Sequence, residues 1–244
     1  LRARAADERR ALTARIVWSP EYDLTLYGFE RLHPFDGRKF SRAWRLIQGA
    51  LGARADDRLC DPGAPIEDAE LLRVHTPAYL ESLGSSATVA GALELPWARL
   101  LPNALLRSRV LTPMRRAVAG TVRATRLALE HGLAMNLGGG FHHAFRDHGE
   151  GFCLFADVAV AIASARADGG LAAGDRVAII DLDAHRGNGL EAIVRDDPTV
   201  DVLDIYNFQI YPGLVEDEDA RFPHLVPIRA GTRGDEYLRI LDEE

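Results

Sequence analysis

Short aliphatic runs along the chain alternate with longer stretches whose apolar residues recur every three or four positions. That alternation predicts strands separated by helices, the pattern of a parallel α/β sheet. Candidate strands are ARIVW from Ala14, AMNL from Ala134, RVAIID from Arg176 and VDVLDI from Val200. The stretch MRRAVAGTVRATRLALEHG from Met114 predicts a helix that offers Val118, Val122, Leu127 and Leu129 for burial and stops at Gly132. A second helix is predicted over DVAVAIASARA, Asp157 to Ala167, and Asp61 to Pro65 reads as a loop. No repeat, low-complexity tract or linker interrupts the pattern, so one domain spanning 1–244 is expected. Gly231 to Asp235 looks like a helix start, and EYLRILDEE then runs on with neither a C-cap glycine nor a following strand. A helix in such a fold normally delivers the chain to another strand, so a cut on the C-terminal side is expected. The first residue is Leu1, which implies a start inside a longer chain.

Composition narrows the picture. With 244 residues, 47% of them hydrophobic and 27% charged, the chain can bury one sizeable core. A formal net charge of -7 argues against a protein that holds nucleic acid through phosphate contacts, which need a basic surface. Lys39 is the only lysine, and the arginine and alanine content suggests a GC-rich coding sequence and a bacterial source. Cys60 and Cys153 are too few for a disulfide framework and form no CxxC spacing, which points to the reducing cytoplasm. The charged N-terminus LRARAADERR lacks an apolar signal core, and no apolar run approaches the roughly 20 residues that span a bilayer. The expectation is a cytoplasmic protein with no membrane or nucleic-acid partner.

Two motifs carry candidate chemistry. The strand RVAIID runs into DLDAHRGNG, and period-two alternation puts Asp181, Asp183 and His185 on one side if the extended conformation persists. Two carboxylates and an imidazole on one face are costly to bury without a cation, and an Asp-x-His pair suits zinc or a similar divalent metal. The motif GGGFHHA follows the strand AMNL, so both can reach the same rim of the sheet, where open α/β folds build their sites. Glycines there permit positive φ or close backbone approach. His142 and His143 then read as general acid and base beside a metal-bound water, with Asp181 and Asn188 as the partners behind them. A histidine pair taken alone is more often one buried and one surface residue. Two motifs, each following a strand and flanked by glycine, favour the functional reading. His33, His75, His131, His148 and His224 have no partner spacing and default to structural or surface roles.

In order and spacing, GGGFHHA, Gly151-Phe152-Cys153, IIDLDAHRGNG, DIYN from Asp204 and IYPG from Ile210 resemble the zinc-dependent histone deacetylase family. LHPFDGRKF from Leu32, LLPNALL from Leu100 and the Gly-Asn-Gly ending are similar to its class IV branch and bacterial relatives, and the match runs from about Val17 to Leu241. The resemblance implies an arginase-like fold, an open parallel sheet with helices on both faces, and hydrolysis of acyl groups from lysine amines or related amides. It implies that Asp183 and His185 are two of three ligands to Zn2+, with Fe2+ as the alternative metal. It makes His143 the general base, His142 its electrostatic or general-acid helper, and Asp181 the carboxylate behind His142. Asp181, Asp183, His185 and Asp204 correspond to a structural K+ or Na+ site, and Gly151, Phe152 and Tyr211 to the walls of an acyl-lysine tunnel.

Two departures follow. Asn188 stands where the larger classes have an aspartate, which implies a less basic His143. The family's third zinc ligand and its transition-state tyrosine fall beyond the last residue, so the segment is expected to hold metal poorly and to lack activity on its own. An arginase or agmatinase would need an aspartate two residues after the motif histidine, where this chain has Gly187. An amidohydrolase of small acylated amines such as acetylpolyamines, favoured by an acidic gate, and a non-catalytic acyl-lysine binding homologue remain as alternatives. Cys153 is either redox-sensitive or packed.

Overall fold

Strand β1 (Arg15–Val17) is covered on both sides because consecutive side chains of a strand point opposite ways. Ile16 packs with Trp44 of helix α1 (Lys39–Leu51), and Val17 packs with Ala124 and Leu127 of helix α2 (Thr112–His131). The structure, a computed structural model, describes residues 14–25, 36–213 and 221–243. The N-terminal LRARAADERR, His33 and the first four residues of LHPFDGRKF lie outside the described residues. Strands β2 (Leu59–Cys60) and β3 (Ala134–Asn136) flank β1, both parallel to it. Strands β4 (Val177–Asp181), β5 (Val200–Asn207) and β6 (His224–Ile228) pair in parallel in the order β4-β5-β6. The predicted parallel α/β architecture is present. Among the described residues its strands pair as two three-stranded sheets.

The elements left unpredicted have physical reasons. Two residues, as in β2, carry no periodicity. In β6, Pro227 interrupts a pattern that a sheet interior would not tolerate, and the strand accordingly lies at a sheet edge.

Helix α2 starts two residues before the expected Met114, with Pro113 in its first turn, and stops as expected at Gly132, which adopts φ 89° and donates its N–H to the Ala128 carbonyl. Val118, Val122 and Leu127 are buried. Leu129, also expected to be buried, is 47% exposed, because it falls in the last turn, beside the loop at Gly170. Helix α3 has the expected bounds (Asp157–Ala167). One core joins Met114, Val118 and Val122 of α2, Val160 of α3, Ile193 of α4 (Asn188–Val194) and Val202 of β5. Helix α2 thus packs into this core along one part of its surface and against Val17 of β1 through Ala124 and Leu127. The expected C-terminal helix, α5 (Gly234–Glu243), buries none of its side chains. Among the described residues no helix is long and apolar enough to cross a membrane.

His75 stands inside this core, and its Nε2 accepts the Ala156 N–H at 3.0 Å. Burial pushes its imidazole down to about 4, so the folded state resists protonation. The unfolded chain takes up that proton near pH 6.5. The contribution to stability is therefore complete above about pH 6.5 and declines as pH falls towards 4, by up to about 3 kcal/mol. Melting temperatures from pH 7 to 4 should fall more steeply for the wild type than for His75→Gln, which retains an acceptor without the titration. Parallel curves would contradict this.

Candidate active site

The glycine run after β3 is shaped by one carboxylate. Asp157, fully buried at the start of α3, accepts the Thr121 hydroxyl at 2.6 Å and the Gly140 N–H at 2.9 Å on Oδ2, and the Phe141 N–H at 2.8 Å on Oδ1. Gly139 sits at φ 114°, and a Cβ there would lie 2.3 Å from Asp157 Oδ2. Only glycine lets the backbone pass. Burial raises the Asp157 carboxyl, and its three donors resist that rise. The loop is thereby fixed directly before the histidine pair.

His142 and His143 stack obliquely, ring centroids 4.1 Å apart, and each is held from behind through Nδ1. His142 Nδ1 lies 2.7 Å from Asp181 Oδ2, and His143 Nδ1 lies 2.7 Å from Asn188 Oδ1. The two environments push their basicities apart. Burial disfavours charge on His142, but the hydrogen bond and charge of Asp181, with Asp183 and Asp204 behind, exceed that effect and raise its pKa. Burial and then the neighbouring His142 lower the pKa of His143, against which the amide of Asn188 works only weakly. The lowered basicity of His143 thus comes from burial and from His142, while Asn188 acts in the opposite direction.

The second motif reaches the same place by a different route from the one expected. The extended conformation ends at Asp181, and a chain of side-chain-capped turns follows. The Asp183 N–H donates to Asp181 Oδ1 at 3.0 Å, and the His185 N–H donates to Asp183 Oδ1 at 2.8 Å. Asp181, Asp183 and His185 consequently do not share one strand face. Asp181 stands behind His142, while Asp183 and His185, 54% and 45% exposed, line a cavity of about 460 Å³ with the histidine pair. Gly151, Phe152 and Tyr211 line it as well. Gly151 has φ 53°, and a Cβ on it would come within 2.4 Å of His143 Cδ2, so the wall closes directly on that ring. The Tyr211 ring meets His143 edge to face at 5.1 Å. A larger cleft of about 770 Å³ elsewhere holds neither histidine nor cysteine.

Asp183 Oδ1 and His185 Nδ1 are 2.8 Å apart, a carboxylate and an imidazole that a divalent cation could join in place of a shared proton. Among the described residues no group of three His, Cys, Asp or Glu side chains gathers to hold a metal, so a metal on this pair would need a further ligand. Behind it, Asp204 is buried. Its Oδ2 accepts the Gly187 N–H at 2.8 Å and its Oδ1 has no hydrogen-bond partner. Burial, with the charges of Asp181 and Glu191, pushes its carboxyl up to about 8.

Several residues of the site were not apparent from sequence. Lys39 and Glu94 reach the cavity from remote segments with no spacing signal. Asp157 was visible only as an acid opening a helix. Glu150, whose Oε1 accepts the Asn188 Nδ2 donor at 2.6 Å, was visible only as an acid between the histidine pair and Gly151-Phe152. Cys153 is packed: burial raises its thiol to about 12, which keeps it protonated and unreactive.

The parallel α/β scaffold thus brings an Asp-backed histidine and an Asn-backed one together at one cavity. The Histone deacetylase domain family matches residues 33–244. Over 93% of its length the chain is 43% identical to Histone deacetylase 2 of Arabidopsis thaliana, covering 57% of that protein. It is 29% identical to the acetoin utilization protein AcuC of Bacillus subtilis over 91% of the chain and 58% of the relative. It is 30% identical to a histone deacetylase-like amidohydrolase of Pseudomonas aeruginosa over 72% of the chain and 47% of the relative. The chain belongs to the histone deacetylase family, and it spans about half the length of these relatives.

Proposed function

We propose that the protein hydrolyses acyl-lysine amides, as a deacetylase or long-chain deacylase of the class IV type that uses Zn2+, or Fe2+ in its place. The observation that supports this reading most directly is the opposed tuning of two adjacent histidines at one cavity. Groups whose environments push their basicities apart are how one site supplies both a base and an acid. Asp183 and His185 would hold the metal together with a ligand from elsewhere, and the metal would polarise the amide carbonyl and acidify water. His143, the less basic ring, would take the proton from the attacking water through Nε2. His142, made more basic by Asp181, would face the developing negative charge and supply a proton to the leaving amine. Phe141, Phe152 and Tyr211 supply apolar walls that grip an aliphatic chain and exclude water. The partner is then an acylated lysine in a protein.

K+ or Na+ at Asp204 completes the proposal, because a bound cation would partner the free Oδ1 and offset the neighbouring charge of Asp181. Exchange of tetramethylammonium chloride for KCl at constant ionic strength should raise the melting temperature. At a concentration 100 times the dissociation constant the gain is about 2.7 kcal/mol. Asp204→Asn should remove the difference, and a melting temperature that ignores the exchange would contradict the site.

The alternative of small acylated amines draws on Glu94, whose carboxylate on the cavity wall would attract a polyamine, although Lys39 on the same wall opposes it. Rates on an acetyl-lysine peptide and on acetylated polyamines, measured with the full-length metal-loaded protein, separate the two. Preference for the peptide supports the proposal, and preference for the polyamine, lost in Glu94→Ala, supports the alternative. Tight binding of an acyl-lysine peptide without turnover would instead indicate a non-catalytic homologue.

A further inference from the structure

We propose that Glu150 is a positioning residue that fixes the proton of His143 on Nδ1 by fixing which end of the Asn188 amide His143 meets. The catalytic consequence rests on the acyl-amide hydrolase reading, whereas the geometry does not.

The two ends of an asparagine amide are nearly identical in shape, so only its partners decide which way it points. At Asn188 both ends are engaged. Nδ2 lies 2.6 Å from Glu150 Oε1, and Oδ1 lies 2.7 Å from His143 Nδ1. A carboxylate only accepts hydrogen bonds, so it takes the amide N–H end and leaves the oxygen for His143. An oxygen can only accept from Nδ1, so Nδ1 carries the proton and Nε2 keeps its lone pair. The lone pair is thus placed on the nitrogen that a base must use.

Glu150 is itself held in place. Its carbonyl accepts the Cys153 N–H at 2.8 Å, which closes the short loop carrying Gly151 and Phe152. Its carboxylate also accepts the Tyr211 hydroxyl, and Oε2 stands 3.8 Å from His148 Nε2. The negative charge that Asn188 lacks is therefore supplied one residue further back. It acts on His143 through the amide rather than directly.

Replacing Glu150 by Gln removes the one obligate acceptor, because a glutamine end can donate as well as accept and the Tyr211 hydroxyl, which is also hydrogen-bonded to Asn188, can do either. Asn188 is then free to turn over and donate to Nδ1, which moves the imidazole proton to Nε2 and blocks proton uptake from the cavity. Loss of a charge-assisted hydrogen bond should shift that equilibrium by about tenfold or more.

The test is a two-bond 1H–15N correlation spectrum of the histidine rings at about pH 8, where imidazole is neutral. It is recorded on the whole chain without metal or substrate, so it reads the tautomer whether or not the hydrolase reading stands. The wild type should show His143 as the Nδ1–H tautomer alone, and Glu150→Gln should show a large share of Nε2–H. A second variant guards against mere misfolding. In the double variant Glu150→Gln with Asn188→Asp, the introduced carboxylate can only accept from Nδ1, so the Nδ1–H form should return, which a purely structural role for Glu150 would not produce. An unchanged tautomer in Glu150→Gln, or failure of the folded double variant to restore it, would overturn the proposal.

Discussion

Replacing Glu191 by alanine should destabilise the fold by about 3–5 kcal/mol, enough to lower the melting temperature by roughly 6–20 °C for a chain of this size. Arg186 and Glu191 are each only 3% exposed, and the guanidinium grips the carboxylate through Nε at 3.0 Å and Nη2 at 2.7 Å. The pair closes the turn between the Asp-x-His motif and α4. The same helix start is tied to the histidine loop where the Leu190 N–H donates to the His142 carbonyl at 2.8 Å. Truncating Glu191 takes away the carboxylate that this buried guanidinium grips, and the cost comes from the weakened compensation of a buried charge more than from the lost contact. The double replacement Arg186→Met with Glu191→Leu should therefore recover much of the stability. Thermal melts of the single and double variants check this. A single variant as stable as the wild type would contradict the account of the pair as the clamp of the site.

In the full-length enzyme, His143→Ala should lower kcat by about 10²–10⁴-fold with little change in KM, the usual contribution of a placed acid or base. His142→Ala should cost a comparable factor by a different route, because it removes the more basic ring rather than the less basic one. If the two act on one proton path, the double variant should be scarcely worse than the poorer single. Full multiplication of the two losses would show that the rings act independently. Melting curves for each variant separate lost chemistry from lost fold, since both rings lie within hydrogen-bonded pairs that also hold the loops together.

The parts of this protein legible in its sequence are those encoded locally. Helix α2 was readable because its apolar positions repeat and Gly132 marks a stop, and α3 as an alanine-rich run free of Gly and Pro. Strands β1, β3, β4 and β5 were readable as short aliphatic runs. Leu129 misled because periodicity does not say where a helix outruns its neighbours. The DLDAHRGNG motif does reach the cavity that the histidine pair lines, but its shape was not legible. Alternation along a strand could not foresee that Asp181 and Asp183 would cap the backbone of the residues following them. Asp157 and Glu150 were missed because their partners lie 16 to 38 residues away, at Phe141, Gly140, Thr121 and Asn188, and only packing brings them together. The glycines announced close approach without saying to what. For Gly139 the answer is a buried carboxylate, and for Gly151 it is the ring of His143.

Release of free amine from paired acetyl-lysine and myristoyl-lysine peptides, by the full-length protein reconstituted with zinc, tests the proposed activity most directly. The account predicts release from at least one of them, abolished by a chelator and by His143→Ala, with the faster peptide setting the acyl length the cavity prefers. Absence of release from both peptides by a folded, metal-loaded protein would contradict it.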